Sequence, residues 1–165
     1  MNIIEQLMVD HAALRLHFSF IRRTDSDSIY ELEEFVRSCH ARIEDEIVFP
    51  KIRKSLTPPD DTKLSQDISR LEADHKLIDM IGDQIKVRTT QGDIEMLKKR
   101  ALLYMSTVES HNSSEESLIF QFWHPDSREE DREAAMRARK IIQEFGLNRY
   151  FRITGMSEKL LNTVG

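Results

Sequence analysis

Apolar residues along the chain recur three or four positions apart, which is the spacing of an amphipathic helix and not that of a strand. In the first of these runs His11 shares its stripe with the apolar side chains around it. Pro58 and Pro59 are expected to end the second run, because proline cannot continue a helix. The predicted helices span about residues 4–21, 29–55, 62–88 and 93–123.

A further helix is predicted beyond the fourth. Ser127 with Glu130 three residues later is a capping-box pattern, and Gly146 is expected to end the helix that follows. The whole pattern predicts an all-α protein. It would consist of an up-down-up-down four-helix bundle over residues 1–124 and a C-terminal helical extension over residues 125–165, packed on the bundle or flanking it.

Composition excludes several classes of partner. The 165 residues carry a formal net charge of -5, with acids and bases mixed and no Lys/Arg-rich block, which argues against nucleic acid. No apolar run approaches the roughly 18 residues of a membrane-spanning helix, and the N-terminal residues do not form a signal peptide. Cys39 is the single cysteine, so an internal disulfide is excluded. We therefore expect a cytoplasmic protein with no membrane partner.

An internal repeat is the most informative feature of the sequence. The stretch "SCHARIEDEIVFP" at 38–50 and the stretch "ESHNSSEESLIFQF" at 109–122 both have a His, a Glu four residues later, a second acid, and a Phe nine residues after the His. "LMVDH" at 7–11 likewise matches "LEADH" at 71–75. The order LxxDH, HxxxE, LxxDH, HxxxE puts one element on each predicted helix. It indicates a duplicated helical hairpin with related side chains around a pseudo-twofold axis.

The repeated elements place polar groups on faces that a bundle would bury. Residues four apart on a helix point in nearly the same direction, so Glu44 and Glu115 are each expected beside the histidine one turn earlier. Burying imidazoles and carboxylates without compensation costs several kcal/mol for each charge. Divalent metal ions would resolve this cost, since both groups are metal ligands. The histidines on apolar stripes are His11, His40, His75 and His111.

The ordered pattern H…HxxxE…H…HxxxE, with "FP" after its first HxxxE, resembles the hemerythrin-like (HHE cation-binding) domain family over about residues 1–124. The resemblance implies a four-helix bundle that holds two non-haem iron ions, bridged by two carboxylates and an oxo or hydroxo group, with iron favoured over Mn or Zn. It implies terminal ligation by the histidines, with Glu44 and Glu115 as bridges. The implied ligand set is His11, His40, Glu44, His75, His111 and Glu115.

Several positions leave alternatives open. Glu116 stands at the HxxxxD spacing that oxygen-carrying hemerythrins use, which makes it the rival of Glu115 as bridge. Asp79 occupies the place of a further histidine and is expected to be a ligand or a partner of His75. Asp10 and Asp74 would either accept hydrogen bonds from metal-bound imidazoles or lie in solvent.

Four other residues have polar or reactive side chains near the pattern. Tyr104 would either donate a hydrogen bond to a bound small ligand or pack in the core. Cys39 would be either a redox group or a buried inert thiol. His17 and His124 are expected to be non-ligands.

The function that these observations favour is binding of, or reaction with, O2, NO or peroxide at the di-iron centre. The loss of one histidine argues against simple reversible oxygen carriage. The alternatives are a non-enzymatic redox, O2 or NO sensor or interaction module, and iron storage or donation for the repair of damaged iron centres. Whether the protein is an enzyme stays open, and its partner beyond the small ligand would be a second copy or a redox protein.

Overall fold

The computed structural model describes residues 1–21, 27–56, 62–91 and 94–163, and within these ranges the chain is helical with no strand. The prediction of an all-α protein is therefore confirmed. None of the described helices is long and apolar enough to cross a membrane. The longer helices are α1 (Ile3–Ile21), α2 (Asp27–Phe35), α4 (Phe49–Ser55), α5 (Thr62–Gln91), α6 (Ile94–Leu118), α7 (Arg128–Phe145) and α8 (Leu147–Thr154).

The second helical segment, residues 27–55, changes its winding twice. Between α2 and α4 lie the π-helical turns π1 (Val36–His40) and π2 (Glu44–Val48), separated by the short α3 (Ala41–Ile43). Single π-helical turns within α-helices often occur at functional sites. The sequence pattern predicted this segment as one helix but did not predict the two wider turns, on which His40 and Glu44 stand.

One contact of this segment with the C-terminal part of the chain lies close to Pro50. Proline has no N–H group, so it cannot donate to the carbonyl of Glu46, four residues earlier. The Arg137 side chain, in α7, donates to that carbonyl oxygen at 2.6 Å. The contact ties α7 to the part of the segment that carries Glu44.

Helix boundaries differ from the predictions at several ends. α5 continues to Gln91, three residues past the predicted end, and α6 ends at Leu118 before a 3-10 turn over Phe120–Phe122. Pro58, Pro59 and the predicted start of the fourth helix at residue 93 lie outside the described residues. At the start of α7 the capping prediction is confirmed, because the Ser127 hydroxyl accepts a hydrogen bond from the Glu130 N–H.

The segment after α6 packs on the first two helical segments. α7 contacts α1, π1, α3 and π2, and α8 contacts α1 and α7. Ala138, Ile142 and Tyr150 of these helices are fully buried. They belong to the same hydrophobic cluster as residues of α1, α5 and α6, so the packing of residues 128–154 is continuous with the core.

One layer of the core has an unusual polar member. This layer lies seven residues, or about two helical turns, from the histidines on the apolar stripes, and its members are Phe18, Glu33, Gly82 and Tyr104. The Phe18 and Tyr104 rings meet edge to face with centroids 6.4 Å apart. A Cβ atom added to Gly82 would lie 2.8 Å from both Cγ and Oε1 of Glu33. Gly82 therefore makes room for a buried acid.

The Glu33 carboxylate is 2% exposed, and two cations compensate its charge. Arg37 Nη2 lies 2.9 Å from Oε1, and Lys86 Nζ lies 2.7 Å from Oε2. A buried carboxylate held on both oxygens cannot move aside at little cost.

Gly82→Ala is therefore expected to destabilise the protein. A Gly-to-Ala change within a helix ordinarily gains about 1 kcal/mol. Here the added methyl group collides with the fixed Glu33 side chain, and overpacking of this kind costs about 1–3 kcal/mol. Urea unfolding of the wild type, Gly82→Ala, Glu33→Ala and the double variant measures the effect. In the Glu33→Ala background the Gly82 substitution should be neutral or stabilising, and an equal loss in both backgrounds would contradict the assignment of the collision.

Candidate metal centre

The structure brings the six predicted ligands together in the core. α1 provides one histidine, π1 and π2 provide His40 and Glu44, α5 provides one histidine, and α6 provides His111 and Glu115. Each of the six side chains is buried, and the two carboxylates are 0% exposed. The sequence brings them together because each stands on the apolar stripe of its helix.

Two of the histidines form one half of the cluster. Nε2 of His11 and Nε2 of His40 are 3.0 Å apart. Glu44 Oε1 lies 3.3 Å from His40 Nε2, and Glu115 Oε2 lies 3.4 Å from His11 Nε2. One ligand atom from each of these four residues lies within 4.8 Å of the others, as the coordination of a single ion requires.

The other two histidines form the second half. The rings of His75 and His111 have centroids 4.5 Å apart. His75 Nε2 lies 3.3 Å from Glu44 Oε2, and His111 Nε2 lies 3.1 Å from Glu115 Oε1. These four residues form a second group whose ligand atoms lie within 4.8 Å of one another.

Glu44 and Glu115 belong to both groups, and each offers a different oxygen to each half. Glu44 directs Oε1 toward His40 and Oε2 toward His75. Glu115 directs Oε2 toward His11 and Oε1 toward His111. Carboxylates placed in this way can join two cations.

Six of the buried ligand atoms have no hydrogen-bond partner among the described residues, although they lie close together. Both oxygens of Glu44 and of Glu115 are in this state, and so are Nε2 of His75 and of His111. Buried polar atoms are nearly always hydrogen-bonded, and leaving them unsatisfied costs about 1–3 kcal/mol each. In each of the two groups the ligand atoms lie within 4.8 Å of one another. A set of imidazole nitrogens and carboxylate oxygens of this kind fits divalent transition metals.

The other ring nitrogen of each histidine, Nδ1, faces outward to a carboxylate on a different helical segment. The pairs are His11 with Glu116 at 2.7 Å, His40 with Asp10 at 3.2 Å, His75 with Asp45 at 2.9 Å and His111 with Asp74 at 3.8 Å. A carboxylate on Nδ1 favours the tautomer that carries the proton there, which leaves the Nε2 lone pair for a metal ion. The four pairs follow one another around the four segments as a closed ring, here called the carboxylate ring.

The carboxylate ring shows where two of the acids with open alternatives lie. Glu116 belongs to neither group of ligand atoms. It lies outside the centre, 2.7 Å from His11 Nδ1 and 2.7 Å from Nη2 of Arg15. Asp10 is 0% exposed and lies against His40, so it is a histidine partner and not a surface residue.

Sequence reasoning missed the role of Asp45 and Glu116. Helical spacing relates each acid only to the histidine of its own helix, from which it points away. Their partners are His75 and His11 on other segments. The signal was present in the sequence, since a second acid follows the HxxxE pattern at the same place in both repeats.

The remaining candidates lie apart from the centre. Asp79 accepts a hydrogen bond from Arg37 Nε at 3.0 Å and does not pair with His75. Burial raises the pKa of the Tyr104 hydroxyl well above its ordinary value, and this hydroxyl has no hydrogen-bond partner within the described part of the chain. Burial also raises the pKa of the Cys39 thiol, which keeps it protonated. A protonated, fully buried thiol fits the inert alternative.

Neither of the histidines expected to be non-ligands joins the cluster. His17 Nε2 lies 2.8 Å from the Ile153 carbonyl oxygen, in α8. His124 is exposed.

Two phenylalanines cover the imidazoles and complete the repeat. Phe49 stacks on His75 with ring centroids 5.8 Å apart, and Phe120 stacks on His11 at 5.4 Å. Each stands nine residues after the histidine of its own repeat and packs on a histidine of the other hairpin. The apolar rings therefore cover one imidazole in each half of the cluster.

Charges within the cluster favour protonated histidines when no metal is bound. Burial would lower the pKa of His11, but the carboxylates of Glu115 and Glu44 outweigh it and raise the pKa from 6.5 to about 10. Burial opposes the same change at His75, where Asp45 and Glu44 raise the pKa to about 10. Burial would likewise raise the pKa of Glu44, but the neighbouring imidazoles, His40 first, hold it well below 4.5.

Comparison with known proteins gives one match. A family model described as the hemerythrin HHE cation binding domain matches residues 2–123. No curated protein and no solved structure matches the chain.

The metal-free protein is expected to lose stability as the pH is raised from about 7 to 10. His11 and His75 have a folded-state pKa of about 10, above the unfolded value of 6.5. Their contribution to the stability of the folded state is therefore complete below pH 6.5 and is lost as the pH rises through 10. Each histidine that is protonated only in the folded state lowers the free energy of unfolding by about 1.4 kcal/mol for every pH unit of increase. Urea unfolding of the metal-free protein between pH 6 and 10 measures it.

Two controls accompany this pH series. Metal-free His17→Gln should keep the slope, because His17 lies outside the cluster, whereas metal-free His11→Gln should have a smaller one. Equal stability of the metal-free wild type at pH 7 and pH 9.5 would contradict the prediction.

Proposed function

The chain belongs to the hemerythrin HHE cation-binding domain family, and from that membership we propose that it is a non-haem di-iron protein that binds or reacts with O2, NO or peroxide. The observation that carries the proposal is the sharing of Glu44 and Glu115 between two histidine pairs, with a separate oxygen directed to each pair. That arrangement suits two cations held side by side. The fold that we propose for residues 1–124 is the up-down-up-down four-helix bundle of this family, with residues 125–165 as an extension packed on it.

We propose the six clustered residues as the metal ligands. His11 and His40 would hold one ion, His75 and His111 the other, and Glu44 with Glu115 would join the two. Each ion would then receive donor atoms from only four residues, which leaves coordination positions open. Asp79 does not add a further ligand, since its carboxylate pairs with Arg37.

The low ligand number supports a reactive centre more than an oxygen carrier. Bound iron would supply exchangeable coordination positions and one-electron chemistry. The protein's own contribution is to orient the ligands and to limit the access of water. The acids of the carboxylate ring face Nδ1 of the four imidazoles, and Phe49 and Phe120 cover two of these rings. Imidazole and carboxylate also bind Mn and Zn, so the identity of the metal rests on the family and on this open ligand set.

A sensor or interaction module is the second candidate function. The observation that favours it is the packing of α7 and α8 on α1 and on the segment that carries His40 and Glu44. A change at the centre would reach this C-terminal part directly. Iron storage or donation for the repair of damaged iron centres is the third candidate. In either case we place the protein in the cytoplasm, where the Cys39 thiol stays reduced.

Metal analysis of anaerobically purified protein tests the proposal. We expect about two iron ions for each chain and separate optical changes on the addition of O2, NO and peroxide. Turnover of one of these would favour an enzyme, a stable complex would favour a sensor, and release of iron to an acceptor would favour donation. His11→Ala combined with His75→Ala, which removes one ligand from each half, should lose the metal and the optical response. A wild type with no stoichiometric metal and no optical response would refute the proposal.

Substitution of the neighbouring acids Glu115 and Glu116 tests which of them joins the ions. Glu115→Gln should bind fewer than two ions, because it removes a charged ligand that both ions share. Glu116→Gln should still bind two ions, with affinity reduced about 10–100-fold through loss of the His11 contact. Competition with a chelator measures both affinities. A larger loss in Glu116→Gln than in Glu115→Gln would reverse the assignment.

A further inference from the structure

The two halves of the centre have equivalent acids in different surroundings. Asp10 and Asp74 occupy the same place in the two LxxDH elements, and each faces Nδ1 of a histidine on another segment. Asp10 is 0% exposed and lies 3.2 Å from His40 Nδ1. Asp74 is 35% exposed and lies 3.8 Å from His111 Nδ1, an atom without a hydrogen-bond partner in the described part of the chain. Although the sequence elements repeat, the acids in the two halves of the centre therefore differ in exposure and in distance from their histidines.

The C-terminal segment contacts Asp10. The hydroxyl of Tyr150, in α8, donates a hydrogen bond to Asp10 Oδ1 at 2.8 Å, and Met156 Sδ lies 3.3 Å from the same hydroxyl. Tyr150 is 0% exposed. Its ring packs against Phe35, which in turn packs against the His40 ring, with centroids 6.0 and 6.1 Å apart. Tyr150 thus reaches His40 through a hydrogen bond on one side and through an apolar ring on the other.

Tyr150 lies outside the part of the chain that the family model matches, residues 2–123, whereas its partner Asp10 lies within it. The acid that pairs with His11 is also held by a second donor, since Arg15 binds Glu116. In the other half, the acids facing His75 and His111 are 43% and 35% exposed. Water competes for the oxygens of an exposed acid, so it holds an imidazole less firmly than a buried one.

We propose that Tyr150 is a positioning residue that fixes Asp10 and, through it, His40, so that the metal ion between His11 and His40 exchanges more slowly than the ion between His75 and His111. This inference rests on the proposed two-metal function. Under this proposal the C-terminal segment helps to retain the metal. The ion between His75 and His111 would be the first to bind and the first to be lost.

Release of iron to a chelator tests the proposal. Protein loaded anaerobically with ferrous iron is mixed with an excess of a ferrous chelator, and the colour of the chelate is followed. The wild type should release its two ions in separate fast and slow phases. Tyr150→Phe should accelerate the slow phase about 10–100-fold and leave the fast phase unchanged. A single phase in the wild type, or equal acceleration of both phases in Tyr150→Phe, would overturn the proposal.

Matched variants separate positioning from a general loss of packing. Tyr104→Phe removes the hydroxyl of another fully buried tyrosine and should change neither phase. Asp10→Asn should accelerate the slow phase, and the equivalent Asp74→Asn should act only on the fast phase. An effect of Tyr104→Phe as large as that of Tyr150→Phe would count against the proposal.

The side-chain nitrogen resonances of the histidines in the metal-free protein give a readout that needs no metal. Tyr150→Phe should shift the resonances of His40 and leave those of His111 in place, whereas unchanged His40 resonances would overturn the positioning role. A wild type that binds no iron would refute the proposed function, and these resonances would still decide the role of Tyr150.

Discussion

The centre of this protein depends on two carboxylates that are shared between two pairs of imidazoles. Glu44 and Glu115 are fully buried, and each has one oxygen beside each half of the cluster. Four imidazoles and two carboxylates in a helical core would destabilise the fold if each buried charge needed a partner of its own. In the metal-free state their mutual attraction raises the pKa of His11 and His75 and lowers that of Glu44. A cation in either group would replace those protons, so metal loading and protonation compete for the same atoms.

Much of this centre follows from the sequence, because helical periodicity and repetition reinforce each other. One histidine on an apolar stripe has many explanations, but the ordered LxxDH and HxxxE elements limited the choice to six residues, and the structure brings all six together. The family match over residues 2–123 confirms the resemblance that the same elements suggested. The all-helical fold was predictable for the same reason, since the apolar spacing recurs along most of the chain.

What the sequence did not reveal are contacts between segments that no periodicity encodes. Asp45 points away from His40 on its own helix, and only the packing of the segments places it beside His75. The sequence pattern does not predict π1 and π2, because apolar spacing does not distinguish an α-helical turn from a π-helical one, in which the backbone hydrogen-bond pattern changes. Tyr150 lies in a short helix far along the chain, and its contact with Asp10 depends on how α8 packs against α1. Tertiary packing decides each of these, and local propensity does not.

The carboxylate ring has a consequence for any attempt to transplant this centre. Every imidazole in it faces an acid from a different segment. A single helix moved to another scaffold therefore carries one member of each of two pairs and no complete pair. A hairpin alone is also incomplete: α5 and α6 together keep the His111–Asp74 pair, but His75 loses Asp45, and Glu116 loses His11. The smallest portable unit is therefore the complete set of four segments, and a designer who copies only the ligands would reproduce the coordination without the scaffold that holds it.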